Sequence, residues 1–370
     1  MRIFLMILCF LNLSFALELE KSFEQYQNQL QILNNLDIDD NFITDENFLA
    51  TKEEIKAMHS ANLINSAADF YEFLPQIRKI LHEQGLPDEF LYLAIVESGL
   101  KMHAASNAKA VGIWQFMPST ARELGLRIDA FVDERRDPFK SSIVAAKYLK
   151  GLYGEFGKWY LAILAYNCGN GKLAKAIKQA KSDDLSILLD PDKKYLPLET
   201  RNFIRKILIL AFEANNKDFL FTKEASFANY ALSTEFSKVE VPSSISLREF
   251  AKNAKISYEN LKRYNPHFRY DFTPPGNNYY LYIPEKMSAS FTKSYEPQKL
   301  AKVDTKIPNT QIYRVKVGDT LYSIAKKFKI KIADIRALNK ISKSHLSINQ
   351  KLILPLKESI YAENSKFINR

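Results

Sequence analysis

The chain has 370 residues, 46% of them hydrophobic and 25% charged, with a net charge of +10. This is the composition of a globular protein, and the length excludes a single ordinary core, so we expect two or three domains. The segment 299–357 holds 14 Lys or Arg against 3 Asp or Glu, which leaves the rest of the chain close to neutral. This basic segment indicates either an anionic partner or a solvated basic face.

The N-terminal segment 1–16 predicts a secretory signal. Arg2 supplies the positive start, residues 3–13 the apolar core, and residues 14–16 a small-x-small cleavage site. The apolar run is well short of the ~20 residues that a membrane-spanning helix needs. The alternative is an uncleaved signal that stays as a membrane anchor.

The two cysteines indicate neither a lipid anchor nor a disulfide. Cys9 lies inside the apolar core of the signal, whereas a lipoprotein cysteine should follow that core. After cleavage only Cys168 is left, so no intramolecular disulfide can form and the fold must rest on its cores. We expect Cys168 to be a small buried hydrophobe and not a nucleophile.

The next part of the chain predicts a mainly helical domain at 61–225. Residues 17–60 form a polar, helical lead, and from residue 61 apolar residues recur at helical spacing until Gly85 ends the helix. Pro87 begins the next helix, which ends at Gly99. There is little strand pattern before residue 235. Further helices are predicted at 120–124, 141–153, 159–166, 172–181 and 200–214.

Glu97 closes an otherwise apolar run, residues 90–99. A carboxylate there should be partly desolvated, and the dipole at a helix C-terminus disfavours its charge, so both effects raise its pKa. Cleavage of a glycosidic bond needs a carboxylic acid that stays protonated near neutral pH, because the leaving oxygen must receive a proton. The alternative is a helix-terminal glutamate that points into water.

Three sequence blocks follow Glu97, at 112–120, 137–141 and 165–171. Their order and spacing resemble the goose-lysozyme-like lytic transglycosylases that cut bacterial peptidoglycan. The resemblance is closest to proteins like the membrane-bound lytic murein transglycosylase D, in which LysM modules follow the catalytic SLT domain. It covers most of the chain after about residue 60 and implies a lysozyme-like α domain.

The resemblance also implies a mechanism that needs one carboxylate. Glu97 would protonate the glycosidic oxygen between N-acetylmuramic acid and N-acetylglucosamine. It would then deprotonate the C6 hydroxyl of the same muramic acid, which closes a 1,6-anhydro ring without water. Ser98 would orient Glu97, and Tyr166 would place a hydroxyl near the developing charge. The implied substrate-binding residues are Ser98, Ser106, Gln115, Met117, Tyr166, Asn167, Tyr195 and Glu199.

Each of these residues also has a structural explanation. Ser106 and Gln115 could be hydrogen bonders within a loop, Met117 could fill the core, and Tyr166 could be a buried aromatic with a satisfied hydroxyl. At Phe203 members of the resembled family often have a tyrosine, so a polar contact would be missing there.

A true hydrolase would pair a second carboxylate with Glu97 across the scissile bond. The nearest candidates are Asp133, Glu134 and Asp137, on a loop that also holds Arg135 and Arg136. We expect these opposite charges to pair with one another.

An internal repeat occupies the C-terminal part of the chain. The second copy, at 312–356, begins with an alternating strand, a Gly-Asp turn and a Thr N-cap, and it resembles a LysM module, a β-α-α-β unit that binds N-acetylglucosamine chains. The first copy, at 235–286, lacks that turn and resembles a degenerate module. A linker is predicted at 287–311 and a tail at 357–370. Five positions recur at an offset of 74: Leu247, Ala251, Ile256, Leu261 and Asn265 become Leu321, Ala325, Ile330, Ile335 and Asn339.

The expectation is therefore an α+β multidomain lytic transglycosylase, secreted across the inner membrane to the periplasm and the wall. The LysM modules would bind peptidoglycan glycan strands and raise the local substrate concentration. We expect a monomer without a cofactor. We also expect no metal site, because the five His residues lack paired ligand spacing. Export argues against nucleic acid and favours acidic stem peptides or an anionic membrane surface as the partner of the basic segment. The alternatives are a muramidase that admits water and a wall-binding protein without activity.

Overall fold

The computed structural model describes residues 19–20, 22–52, 70–214, 235–288, 300, 302–303, 310–328, 330–339, 341 and 346–355. The signal at 1–16, the tail at 357–370 and most of the predicted linker lie outside the described residues.

The first large domain is mainly α, as the sequence predicts. Helices at 22–35 and 46–52 precede it. The predicted helices after Gly85 are present with ends that agree within three residues, and the short helices Glu134–Arg136 and Leu185–Leu188 were not predicted. The helices are α1 Leu74–Glu83, α2 Phe90–Ser98, α3 Pro118–Glu123, α4 Pro138–Phe156, α5 Trp159–Cys168, α6 Asn170–Ala180, α7 Leu185–Leu188 and α8 Leu198–Ala214.

Helix α2 lies at the centre of this domain. It is apolar around its circumference, and α1 and α8 pack against it. A helix that is hydrophobic on all sides belongs inside a core. It ends where Gly99 takes a left-handed conformation at φ +58°. A polar group in its last turn therefore stands against a largely apolar environment.

Helix α4 begins at Asp137, which caps its N-terminus. The Oδ1 atom of Asp137 accepts hydrogen bonds from the backbone N–H groups of Phe139 at 3.0 Å and Lys140 at 2.9 Å. Pro138 holds the first helical position, where its missing N–H costs no hydrogen bond. The capping bonds fix this carboxylate at the start of the helix.

Two small modules follow, each with a two-stranded antiparallel sheet and two helices. Their sheets have the same register: Phe236 pairs with Pro284 in the first and Thr310 with Pro355 in the second. The mainly α domain followed by β-α-α-β modules confirms the predicted fold class. The first module has β1 Phe236–Val241, α9 Leu247–Asn253, α10 Tyr258–Tyr264 and β2 Tyr279–Pro284; the second has β3 Thr310–Arg314, α11 Leu321–Phe328, α12 Ile332–Asn339 and β4 Lys351–Pro355.

A repeated asparagine ties the second helix of each module to its last strand. Asn265 donates to the carbonyls of Leu261 and Tyr282 at 2.9 Å and accepts from the N–H of Tyr282 at 2.7 Å. Asn339 makes the same three bonds, to Ile335 and to Ile353. The asparagine of the repeat is therefore a structural residue in both copies.

The two modules differ in what surrounds them. The first shares one hydrophobic core with the helical domain, and its Phe236 stacks on Phe73 with ring centroids 5.2 Å apart. The second has a core of its own, built from Val315, Leu321, Ile324, Ala325, Ile335, Leu352 and Leu354.

Part of the predicted linker packs against the first module. Leu300 is buried, Lys302 forms a β-bridge with Ile245, and the N–H of Val303 donates to the carbonyl of Ser244 at 2.7 Å. Sequence analysis did not predict this packing, because a single leucine in a polar segment has no periodicity. Within the part of the chain that the structure describes, no helix is both long enough and apolar enough to cross a membrane.

Candidate active site

Glu97 lies in the last turn of α2, where its carboxyl group is largely desolvated. Burial and, second, the negative charge of Glu199 raise its pKa to about 8 from an ordinary value of 4.5. Glu199 is exposed in the first turn of α8, which packs against α2. The side chain of Glu97 is therefore largely protonated at neutral pH and can donate a proton.

The loop 104–117 lies next to the end of α2, and several of its residues have positive φ angles. Val111 bridges both Ala105 and Phe116. Gly112 has φ +86°, and a Cβ there would stand 1.8 Å from the carbonyl oxygen of Arg135. Only glycine fits so close an approach.

Gln115 holds a left-handed backbone conformation, with φ +46°. Such a conformation is uncommon for a residue other than glycine. Its side-chain nitrogen donates to the carbonyl of Gly112 at 2.7 Å. This bond fixes the amide and leaves the side-chain carbonyl oxygen as an acceptor. Strain of this kind concentrates at functional sites.

Two hydroxyl groups hold this loop to the helices. The Ser98 hydroxyl donates to the carbonyl of Ile113 at 2.9 Å and to that of Ala94 at 3.1 Å. The Tyr166 hydroxyl, on α5, donates to the carbonyl of Trp114 at 2.6 Å. The bonds that Ser98 donates go to backbone carbonyls, so any influence on Glu97 would pass through the position of the loop.

Tyr166 also lies within the electrostatic reach of Glu97. Burial, and after it the charge of Glu97, raise the pKa of Tyr166 well above its ordinary value. The phenol therefore stays protonated and keeps the bond that it donates to the carbonyl of Trp114. The structure thus brings Glu97, Ser98, Gln115 and Tyr166 together around one loop.

Trp114 is a structural residue of this site to which sequence reasoning assigned no role. Its side chain is fully buried, and its indole N–H donates to the Ser142 hydroxyl on α4 at 2.9 Å. A large apolar residue inside a polar sequence block was the available signal.

The remaining predicted residues lie on the edges of the site. Ser106 is exposed, and its hydroxyl accepts from the N–H of Ala110 at 3.0 Å. Met117 is 41% exposed directly before α3. The side-chain oxygen of Asn167 accepts from the Thr200 hydroxyl at 2.7 Å, which joins α5 to α8. Tyr195 is half-buried and Phe203 is buried. Burial raises the pKa of the Cys168 thiol, and a raised thiol pKa opposes a role as nucleophile.

The three candidate second carboxylates face the first module and are fully engaged there. Asp133 binds Arg135 through two bonds of 2.9 Å, so the expected pairing of charges within this loop is confirmed for Asp133, whereas Glu134 and Asp137 have partners outside the loop. Glu134 accepts from the Tyr279 hydroxyl at 2.7 Å and pairs with Lys140 at 2.6 Å. Asp137 accepts from the Tyr280 hydroxyl at 2.6 Å. The aromatic partners come from a distant segment of the chain, so no local pattern could predict them.

Comparison with known proteins assigns this region to a domain family. Residues 76–188 match the family described as the transglycosylase SLT domain. Residues 235–299 match the LysM-like domain of the lytic transglycosylase MltD, and residues 313–355 match the LysM domain. The chain carries an SLT domain followed by two LysM-type domains. The SLT match contains Glu97, the loop 104–117 and Tyr166.

Curated relatives of the SLT and LysM-type domains include several bacterial and phage proteins. The membrane-bound lytic murein transglycosylase D of Escherichia coli K12 is 31% identical over 292 residues, which cover 77% of this chain and 62% of that protein. The membrane-bound lytic murein transglycosylase C of Actinobacillus pleuropneumoniae is 30% identical over 37% of this chain and 44% of that protein. The peptidoglycan transglycosylase gp16 of phage T7 is 36% identical over 32% of this chain and 9% of that protein. The chain thus spans less than two thirds of the length of these relatives.

Proposed function

We propose that this protein is a peptidoglycan lytic transglycosylase in which Glu97 is the general acid and then the general base. The observation that carries the proposal is the pKa of about 8 at Glu97, in the last turn of a buried helix where the next residue, Ser98, is bonded to the loop of Gln115. The match to the SLT domain and the names of the relatives supply the substrate class.

The proposed reaction conserves every proton. Glu97 gives its proton to the glycosidic oxygen as the bond to C1 of N-acetylmuramic acid breaks, and N-acetylglucosamine leaves with a free 4-hydroxyl group. The C6 hydroxyl of the same muramic acid then attacks C1, and its proton returns to the Glu97 carboxylate. Because the nucleophile belongs to the sugar itself, the second step gains from proximity and needs no water.

The neighbours of Glu97 suit the charge that develops in this reaction. The Tyr166 phenol is protonated, and it could serve the developing charge only by giving up the bond that it donates to the Trp114 carbonyl. The side-chain oxygen of Gln115 can accept from the N–H of an acetamido group, since its nitrogen is held by Gly112. Ser106 and Met117 would extend the sugar-binding surface along the edge of the loop, and Asn167, Tyr195 and Glu199 would border it on the side of α8.

The alternative hydrolase would need a second catalytic carboxylate. Asp133, Glu134 and Asp137 are committed to the first module, which leaves Glu199 as the acidic group whose charge acts on Glu97. In the lyase, Glu199 raises the pKa of Glu97 and borders the sugar, but it takes no part in proton transfer. In a hydrolase it would activate water and be required for turnover.

The second module is proposed to bind the glycan strand. Val317, Tyr322 and Ile348 are exposed apolar side chains at 82%, 67% and 61%. The turns that carry Val317 and Ile348 lie near each other, because the N–H of Val315 donates to Gln350 and the N–H of Asn349 donates back to Val315. Sugar rings pack on such apolar surfaces, and the basic charge of the module suits acidic stem peptides. We propose a monomer in the cell envelope that binds the wall through this module, and the name of the E. coli relative, a membrane-bound lytic murein transglycosylase, supports the location in the envelope.

The test is the release of soluble fragments from purified peptidoglycan by wild type, Glu97→Gln and Glu199→Gln. We expect no release by Glu97→Gln. Glu199→Gln should stay active, with the alkaline limb of its pH–rate profile moved to lower pH, because the pKa of Glu97 falls when the neighbouring charge is removed. Glu83→Gln, at an exposed carboxylate at the end of α1, is the control. Loss of all activity in Glu199→Gln would favour the hydrolase, and full activity in Glu97→Gln would exclude both enzymes.

A further inference from the structure

Gln115 lies in the segment 109–116 of the loop 104–117, and one buried arginine binds both ends of that segment. The Nη1 atom of Arg135 donates to the carbonyl of Lys109 at 2.8 Å and to the carbonyl of Phe116 at 3.1 Å. The carbonyl of Arg135 itself lies against Gly112, where a Cβ would not fit. Arg135 thus contacts the segment 109–116 at its first residue, near its middle and at its last residue.

Arg135 is in turn held by Asp133. The carboxylate of Asp133 takes the guanidinium in a two-bond, planar arrangement, the most directional ion pair available to these side chains. Both side chains are almost completely buried, at 6% and 2% exposure. Burial alone would raise the pKa of Asp133, but the bonds and charges of Arg135 and Arg269 outweigh it and lower that pKa.

The first module supplies the second charge on Asp133. Its Arg269 reaches the Oδ2 atom of Asp133 at 3.1 Å. The backbone aligns with the same segment, because the N–H of Arg269 donates to the carbonyl of Phe131 and the N–H of Asp133 donates to the carbonyl of His267. Asp133 is therefore fixed by side chain and backbone from the module, 136 residues away in sequence.

We propose that the first LysM-type module is part of the catalytic unit and that Arg269 is a positioning residue for the active-site loop. Arg269 fixes Asp133, Asp133 fixes Arg135, and Arg135 sets the path of residues 109–116. The Ser98 and Tyr166 hydroxyls, which donate to Ile113 and Trp114, transmit that path to the surroundings of Glu97. This inference rests on the proposed function for its kinetic consequence.

The interface between the module and the helical domain offers a matched control. Arg263 of the same module pairs with Glu72 at 2.8 Å. The two arginines are similarly exposed, at 43% for Arg263 and 33% for Arg269, and each pairs with one carboxylate of the helical domain; Arg269 also donates to the carbonyl of Val132 at 3.4 Å. Glu72 lies in the turn before α1, far in sequence from the loop 109–116. Loss of Arg263 should therefore affect docking alone.

The experiment compares Arg269→Gln, Arg263→Gln and Arg269→Lys in the full chain, with soluble glycan strands as substrate. For Arg269→Gln we expect kcat/KM to fall about tenfold, because small displacements at a reacting centre are costly. KM should rise, and the alkaline limb of the pH profile should move to lower pH as water reaches Glu97. Arg263→Gln should keep the wild-type KM and pH profile, and Arg269→Lys should recover part of the loss.

Hydrogen exchange of the loop gives a readout that does not depend on activity. The amide of Gly112, bonded to Ala104, and that of Val111, bonded to Phe116, should exchange faster in Arg269→Gln than in Arg263→Gln. Equal exchange in the two variants would overturn the proposal. So would a fall in the turnover of Arg269→Gln that matches only its fraction of unfolded protein, with KM and pH profile unchanged. If wild type releases nothing from peptidoglycan, the proposed function fails, and the exchange comparison still decides whether Arg269 positions the loop.

Discussion

At the scale of single residues, the chemistry of Glu97 follows from where its helix ends. Its charge is disfavoured by the apolar core around α2 and by the neighbouring charge of Glu199. The sequence predicted the first cause, because an apolar run that closes on a glutamate is visible locally. The second cause depends on how α8 packs on α2, and nothing in the sequence near either residue carries that information.

The raised pKa of Glu97 predicts a specific dependence of stability on pH. A carboxyl group with a pKa near 4.5 unfolded and about 8 folded binds more protons in the folded state between these values. The contribution of Glu97 to stability therefore falls as pH rises from about 4.5 to 8 and levels off above it. Glu97→Gln removes this cost, so its melting temperature should exceed that of wild type by a margin that grows across this window. Thermal melts at a series of pH values across this window measure it, and a margin independent of pH would contradict the assignment.

Gly112 provides a second test, with a control glycine that has the same φ angle. Gly112 and Gly125 both have φ +86°, but nothing lies within 4 Å of a Cβ at Gly125. Gly125→Ala should cost about 1–2 kcal/mol of stability through its backbone alone, with normal activity. Gly112→Ala should cost more and lower activity by at least about tenfold, because the alanine pushes the loop away from Arg135. Denaturant melts and turnover measure both, and equal behaviour of the two variants would show that the close approach is unimportant.

At the scale of elements, the repeated sheet has a different environment in each copy. In the common register Tyr282 faces Lys238, and Ile353 faces Ile312 at the equivalent position. Tyr282 is buried against Phe139, with ring centroids 4.8 Å apart, whereas Ile353 is 41% exposed. Every residue of β2 is buried. The sheet face that carries Tyr282 is therefore an interface in the first module, whereas the equivalent position of the second module is exposed.

This difference predicts unequal costs for truncation at equivalent positions. Tyr282→Ala should destabilise the protein by about 3 kcal/mol or more, because it empties a packed aromatic site. Ile353→Ala should cost less than about 1 kcal/mol, as an exposed strand residue. Urea denaturation of both variants, followed by circular dichroism, checks the contrast. Similar losses would mean that the face of the second module is also packed.

The sequence predicted these elements well and their docking poorly. The repeated Leu, Ala and Asn positions indicated the module fold, because they report contacts inside one unit. The pairing of Tyr279 with Glu134 and of Arg269 with Asp133 joins segments far apart in the chain, and neither segment carries a pattern that identifies the other. The first copy lacks the Gly-Asp turn of the second, and the structure shows that this copy forms an interface with the helical domain.

At the scale of the whole molecule, the described residues of the helical domain and the two modules form two cores instead of three. The helical domain and the first module share one, and the second module has its own. Buried Glu134, Asp137 and His267 lie at the shared boundary, where burial raises the pKa of Asp137 to about 6 and lowers that of His267 to about 3. Exposing such a boundary is costly, because the apolar side chains of the shared core, such as Phe73 and Phe139, would meet water.

Truncation should separate the two cores. A chain that ends at residue 303 keeps the first core intact, so its thermal unfolding should match that of the full chain while its pelleting with peptidoglycan weakens. A chain that ends at residue 234 lacks the module and exposes Phe73, Phe139 and the carboxylates, so it should be much less stable or insoluble. Circular dichroism and the release assay decide the question, and stable, active protein from the chain that ends at residue 234 would contradict the shared core.

The most direct test of the proposed chemistry is the mass of the fragments that the protein releases from purified peptidoglycan, beside Glu97→Gln. We expect wild type to release muropeptides lighter by one water than hydrolysis products, with 1,6-anhydro ends and no new reducing ends, and the variant to release nothing. Reducing muramic acid ends from wild type would contradict the lyase mechanism, because they would require water and a second catalytic carboxylate.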